Sequence, residues 1–352
     1  MNLHELDKLL AKIPVYLSLD DIISLYFLDD VTIIFNKNDF WKMLDSYQPM
    51  PSGKYVIIDD ADYRLPHIRL KHNPFNNKLN DILLFKYEEI MKSMLTQQDI
   101  AQEIVNKVNA EIVVLILIDG MSYTDCIKYN PKPCMVNGPT ITPIGFRNVI
   151  YGSDDVPLMT KLYNKGYKKR LGFTYWNRQN NELTDILYRG FAENMIKVEY
   201  FNDILQYLES TVLQPFTYLQ IIRAGLDSYA HGMREKPSQD MLIEQIFDDI
   251  LKLKHVLKSK GLTTNIFVTS DHGLLWKDDK HDFKIIESGR ESPRYSKGFY
   301  KAAHSKIVES HGDNYTLMDY PYMLRNFKSN ELGVHGGISF EESIVPFIEY
   351  EV

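Results

Sequence analysis

Residues 112–118 read Ile-Val-Val-Leu-Ile-Leu-Ile, an unbroken run of aliphatic side chains that ends on Asp119. A strand with one face in water alternates polar and apolar residues. A strand with no polar side is covered on both faces, as in the interior of a parallel sheet. The run is far too short to cross a bilayer. Further strands are expected over 196–201 (IKVEYF), 217–223 (TYLQIIR), 265–270 (NIFVTS) and 344–350 (IVPFIEY). A helix is expected over 238–259, where Ile243, Ile246, Phe247, Ile250, Leu253 and Leu257 recur at helical spacing. Its acids Asp240 and Glu244 come early, its lysines Lys254 and Lys258 late, and Gly261 follows as a stop. Strands alternating with helices predict an α/β fold: a doubly wound, mostly parallel sheet with helices on both faces.

The chain has 352 residues, room for one large core and an appended segment. Residues 1–105 read as a small N-terminal mixed α/β segment of no assignable chemistry, with strands at 32–36 and 54–60 and helices at about 79–96 and 97–109. Residues 106–352 form the main domain. Two stretches in it, about 155–195 and 275–332, break the alternation and are rich in Tyr, Arg, Lys, Gly and Asn. They are expected to be cap-like insertions over the top of the sheet, where substrate is shaped in such folds.

The Asp and His residues fall at informative places. Asp119 ends the first buried run, Asp227 and His231 follow TYLQIIR in AGLDSYAHG, Asp271 and His272 follow NIFVTS, and His335 stands in GVHGGISFEE before the last strand. Ligands in an open α/β sheet collect at the carboxyl ends of strands, so four segments deliver Asp or His to one edge. Singly, each has an ordinary structural role as a cap, turn or helix-pair residue; their order and common placement are what coincidence explains poorly. Three carboxylates and three imidazoles suit zinc or manganese, and six such ligands satisfy two ions more easily than one. Two adjacent divalent cations would clamp the attacking and leaving oxygens of an in-line displacement at phosphorus.

Composition narrows this. The formal charge of −7 argues against a broad grip on duplex nucleic acid, while bound cations can still supply local positive charge for a small anion. Two cysteines, Cys126 and Cys134, exclude a disulfide scaffold and disfavour a thiolate zinc site. The opening MNLHELDKLL has no secretory pattern, which predicts a cytoplasmic protein with no membrane partner.

A nucleophile is sought in PTITPIGFRNVIYG (139–152), where Pro139 and Pro143 bracket Thr140, Ile141 and Thr142 ahead of an expected helix. A Thr there gains from the positive end of the helix dipole, but the local sequence by itself favours a Thr142 that only caps the helix. Gly120 is expected to let the chain turn sharply beside a metal.

Together IDGMS, PTITPIGFRNVIYG, DSYAH, TSDHG and HGGISFEESIVP resemble the alkaline phosphatase superfamily, and within it the PglZ-type domain, over about residues 110–352. The 139–152 segment also resembles the nucleophile loop of nucleotide pyrophosphatase/phosphodiesterases, which points to Thr142 rather than Thr140. The resemblance implies one metal on Asp227, His231 and His335, and another on Asp119, Asp271 and His272 with Thr142 bridging towards it. The ions implied are two divalent metals, Zn2+ or Mn2+. The activity implied is a metal-dependent phosphodiesterase on nucleotide or short oligonucleotide substrates, in bacterial anti-phage defence or signalling and with protein partners of a defence system. The alternatives are a phosphomonoesterase, a phosphomutase, or a non-catalytic metal-binding component of a defence complex. A sulfatase is disfavoured, because no C/S-x-P-x-R motif stands at the nucleophile position. Arg147, Arg290, Arg294, His304 and His311 are expected as contacts to substrate phosphate. The tyrosines and Trp176 of the first excursion read as packing residues, with base stacking as the alternative.

Overall fold

The computed structural model describes residues 31–34, 54–57, 87–88, 91–92, 94–179, 181–232, 238–277, 283–286 and 292–352. The chain divides into two compact units, Met1–Met94 and Leu95–Val352. In the first, strands β1 (Val31–Ile34) and β2 (Lys54–Ile57) pair in parallel, Val31 opposite Lys54. Of the helix expected over 79–96, residues 87–88 and 91–92 are helical, residues 94–96 are not, and the rest lies outside the described residues.

In the second unit the buried run forms β3 (Ile112–Asp119) at the heart of a seven-stranded sheet. The sheet order is β4 (Lys132–Met135), β16 (Ile344–Glu351), β8 (Thr264–Ser270), β3, β7 (Thr217–Ala224), β5 (Lys169–Thr174) and β6 (Met195–Lys197). Strands β8, β3, β7, β5 and β6 run parallel, whereas β16 is antiparallel to both of its neighbours. Alternate side chains of β3 enter two separate cores. Val113, Leu115 and Leu117 meet α1 (Gln97–Lys107) and α2 (Thr142–Tyr151) through Ile100, Ile104, Phe146 and Val149. Ile112, Val114, Ile116 and Ile118 meet the opposite layer, α5 (Phe201–Ser210) and α7 (Gln239–Ser259). This is why no polar residue interrupts the run: both faces are interior.

Two expectations are corrected. The strand read over 196–201 is only three residues long, because Asp203 accepts hydrogen bonds from the backbone N–H groups of Glu199 and Tyr200 and starts α5 at Phe201. Residues 155–195 are not wholly an excursion: with α3 (Leu158–Asn164) and α4 (Glu182–Tyr188) they supply β5 and β6 to the main sheet. As strands at the sheet margin they carry Lys169, Arg170 and Lys197, so no continuous apolar run marks them. The later stretch does leave the sheet. It forms short strands β9 (Leu275–Trp276) and β10 (Lys284–Ile285), then a small antiparallel sheet in which β13 (Asp313–Met318) lies between β11 (Tyr295–Lys297) and β12 (Ser305–Ser310). Among the described residues no helix is long and apolar enough to cross a membrane.

Candidate metal centre

Parallel β3, β7 and β8 bring Asp119, the Ala224–Asp227 turn and Asp271-His272 to one sheet edge. Because β16 runs the other way, with Phe347 opposite Thr269, its start lies at that edge too, and His335 is carried there by the segment before it. The approach is tight. Gly120 has φ +77°, and a Cβ on it would stand 2.9 Å from Cβ of Asp227. A Cβ on Gly145, in the first turns of α2, would stand 2.1 Å from the Asp271 carbonyl oxygen. Only glycine at these points lets the segments close on each other.

Two groups of potential ligand atoms result, each lying within 4.8 Å: Asp119, Asp271 and His272, and Asp227, His272 and His335. His272 belongs to both. His231, four residues after Asp227 on α6 (Asp227–Gly232), places Nε2 3.3 Å from Oδ1 of Asp227, the same distance as Nε2 of His335. The rings of His272 and His335 stack at 4.0 Å, and His231 meets His335 edge-on at 5.4 Å.

Each ligand is held by a second layer of bonds. Nδ1 of His272 lies 3.0 Å from the Gly273 carbonyl and Nδ1 of His335 lies 2.8 Å from that of Thr140. A carbonyl only accepts, so both Nδ1 atoms carry a proton and both Nε2 atoms face the cluster. Oδ1 of Asp271 accepts from the N–H groups of Gly120 and His272, both at 2.9 Å. The Tyr175 hydroxyl donates to Oδ2 of Asp119. Gln97, the first residue of α1, donates to the carbonyls of Ser270 and Asp271 at 2.9 and 2.7 Å. Thr140 Oγ1 accepts from Gly336 N–H at 2.8 Å and donates to the Gly337 carbonyl. Gln97 and Tyr175 carry no local motif, Thr140 and Gly145 stand in the 139–152 segment beside Thr142, and sequence reasoning gave none of the four a part in holding the site.

One oxygen on each of the three acids (Oδ1 of Asp119, Oδ1 of Asp227 and Oδ2 of Asp271) is buried with no hydrogen-bond partner. Burial, then the Asp227 charge, pushes the Asp119 carboxyl up to about 7. Burial and the Asp119 charge raise Asp271 well above the usual carboxylate range. Asp227 goes the other way: burial opposes its ionisation, but His335, His231 and His272 hold it well below the ordinary value. Burial, helped by the His335 charge, lowers His272 to about 3, so its imidazole is neutral. Unsatisfied buried oxygens converging with imidazole lone pairs, and no thiolate, fit a divalent cation of the zinc or manganese type. Cys126 and Cys134 sit in the two apolar cores instead.

Thr142 is the first residue of α2, while Ile141 takes the cap position. Its Oγ1 lies 3.2 Å from Nε2 of His272, beside the Asp119 carboxylate. The hydroxyl therefore faces the cluster and does not cap the helix.

The other expected contacts scatter. Arg294 is wholly buried with all three guanidinium nitrogens engaged by Glu342 and by the Asp319 and Tyr322 carbonyls, so phosphate has no access to it. Arg147 pairs with Asp155 at 3.2 Å. His304 is exposed and stacks on Tyr322, and His311 contacts Asn148 Oδ1 at 2.9 Å. Arg290 lies outside the described residues. Trp176 packs against the core, beside Tyr175.

No family model and no curated protein matches this chain. Among solved structures it is similar to human ectonucleotide pyrophosphatase/phosphodiesterase 5, at 14% identity over 68% of this chain and 87% of that one, TM-score 0.46. The murine form gives 14%, 68%, 87% and 0.45. Phosphonoacetate hydrolase from Sinorhizobium meliloti 1021, in complex with phosphonoformate, gives 12% identity over 68% of this chain and 90% of that one, TM-score 0.44. Similarities at this level assign no family.

Proposed function

We propose that this chain is a metal-dependent hydrolase of phosphodiesters of the alkaline phosphatase type, with Thr142 as nucleophile. The observation that carries the reading is the convergence of three partnerless carboxylate oxygens and two imidazole Nε2 atoms beside the Thr142 hydroxyl. Asp119, Asp271 and His272 would hold one divalent ion, and Asp227, His335 and His231 the other, with His272 also grouped with Asp227 and His335. Such ions supply positive charge to phosphoryl oxygens and favour ionisation of a coordinated hydroxyl.

The chain's own residues supply the rest. Oγ1 of Thr142 lies beside Nε2 of His272 and the Asp119 carboxylate, the groups that would hold the first ion, so the hydroxyl stands next to that ion's seat. The N-terminus of α2 adds a positive dipole end at the same point. Attack forms the threonine O–P bond as the bond to the leaving alcohol breaks. Water then displaces Thr142 from phosphorus and regenerates the hydroxyl. The same motifs support placing the protein beside PglZ-type proteins in phage defence or signalling.

The test uses zinc- or manganese-loaded protein with bis-p-nitrophenyl phosphate, and the monoester in parallel. Turnover of the diester in the native protein, lost on Thr142→Ala with metal content unchanged, supports the reading. Turnover that survives Thr142→Ala, or none from the native protein with either ion, overturns it.

A further inference from the structure

Residues 156–181 contain six cations (Lys161, Lys165, Lys168, Lys169, Arg170 and Arg178) and no acid, in a chain of net charge −7. Four of them fall between the end of α3 and the start of β5. Among the described residues, none of Lys165, Lys168, Lys169 and Arg170 makes an ion pair or a side-chain hydrogen bond. Lys169 lies opposite Thr217, so this turn stands level with the loop from α5 into β7, at the end of the sheet where the parallel strands start. That loop belongs to a second stretch without acids, residues 210–226. The two loops wall a cavity of about 470 Å³, to which one contributes Lys168, Lys169 and Arg170 and the other Val212 and Gln214. Nε of Arg170 is buried without an acceptor. Apolar side chains project beside these cations: Val212 is 89% exposed, Phe216 52% and Tyr163 50%.

We infer that this end of the sheet is a docking surface for an anionic lipid bilayer. Exposed Val, Phe and Tyr side chains on loop tips gain by entering the boundary between headgroups and acyl chains, while lysines around them stay level with the lipid phosphates. Cations with no acid of their own keep their full attraction for a negatively charged leaflet. The cavity admits a headgroup phosphate, whose oxygens supply the acceptors that Lys168, Lys169 and Arg170 lack. A single strand of nucleic acid would instead need ring faces open for stacking. Val212, the most exposed of the three tips, has no ring, and Phe216 meets Tyr167 edge-on at 5.8 Å. The eight residues of β3 separate the two ends of the sheet by about 25 Å, so a docked molecule holds its metal centre away from the bilayer, open to a soluble substrate. Contact of this kind needs neither a leader nor a spanning helix, so the expectation of no membrane partner, drawn from the opening residues, does not bear on it.

The experiment is co-sedimentation of the full chain with vesicles of phosphatidylcholine alone and of an equal mixture of phosphatidylcholine and phosphatidylserine. Binding is expected on the mixed vesicles only, and should weaken as salt rises. A basic residue at an anionic leaflet is worth about five-fold in affinity, so Lys168→Gln/Lys169→Gln should bind about twenty-five-fold more weakly. Val212→Ser, which leaves the charge unchanged, should weaken binding several-fold. Lys301→Gln/Lys328→Gln, with the same change of net charge on exposed residues elsewhere, should bind as the native chain does. No binding to the mixed vesicles, equal binding to both kinds, or equal loss in the two double variants overturns the inference. A loss that tracks a lowered melting temperature overturns it too. Capture of a labelled oligothymidylate that Lys168→Gln/Lys169→Gln abolishes, without vesicle binding, assigns the patch to a nucleic-acid strand and likewise overturns it. The reading of the metal centre, at the other end of the sheet, stands or falls separately.

Discussion

Arg294 meets Glu342 through Nε and Nη2, at 3.1, 3.2 and 2.7 Å, with both side chains wholly buried. Oε1 of Glu342 also accepts from Gly337 N–H at 3.0 Å, two residues beyond His335. The pair thus ties the excursion to the segment that carries a ligand imidazole. Arg294→Ala is expected to cost about 3–5 kcal/mol, because it strands a buried carboxylate. Arg294→Lys should recover little, since an ammonium cannot make the two-pronged contact. The double variant Arg294→Met/Glu342→Leu should cost less than the two single replacements summed, as read from urea unfolding midpoints. Strict additivity would mean the pair is not coupled.

Gly145→Ala sets two effects against each other. Alanine is favoured over glycine in a helix by about 1 kcal/mol. Here the new methyl group would stand 2.1 Å from a backbone carbonyl of the Asp271 turn, and neither side is a flexible chain end. Steric displacement should win, costing on the order of 3 kcal/mol and moving Thr142 away from His272. A thermal scan and a diesterase assay check this; a variant as stable and active as the native chain would mean that α2 does not seat against the Asp271 turn.

Removal of the Tyr175 hydroxyl leaves Oδ2 of Asp119 without its donor. Groups that orient a metal ligand are typically worth about 10–100-fold in metal affinity or activity. Tyr175→Phe is expected to show a loss in that range in zinc affinity, measured by competition with a chelator. Unchanged affinity would make the contact incidental.

His272 stands in both ligand groups, whereas His231 stands in neither, lies 3.3 Å from Oδ1 of Asp227 and keeps 38% of its side chain exposed. His272→Ala should therefore deplete both ions in elemental analysis, and His231→Ala mainly one. Equal depletion by the two variants would contradict this division.

Without metal, the acids make the fold sensitive to pH. The Asp119 carboxyl, pushed up to about 7 by burial and the Asp227 charge, keeps a proton in the fold that the unfolded chain has already released. Stability falls with rising pH wherever the folded state binds more protons. Chelator-treated protein should thus weaken as pH climbs from about 4 to about 7, by roughly 4 kcal/mol from this one group. Zinc should raise the melting temperature more at pH 8 than at pH 5, and the reverse order would rule this out.

The strand ends were legible because a strand and its terminus are local. The aliphatic run through Ile118 announced a strand covered on both faces, and Asp119, Asp271 and His272 followed their strands directly. Strand β5 escaped notice because a strand beside the sheet margin needs no continuous apolar pattern, and KRLGFT has none. Thr142 was ambiguous between cap and nucleophile from its neighbours alone; with Ile141 at the cap position, its hydroxyl points to His272.

The chain's linear pattern, then, determined the α/β class and which turns carry acids and imidazoles. Tertiary structure alone decided that His272 serves both groups, that Gln97 holds the Asp271 turn from 174 residues away, and that Arg294 is consumed by Glu342. The reason is physical: backbone preference and apolar periodicity act over a few neighbouring residues. The partner of a buried charge is instead set by whichever distant segment the packed sheet brings within hydrogen-bond reach.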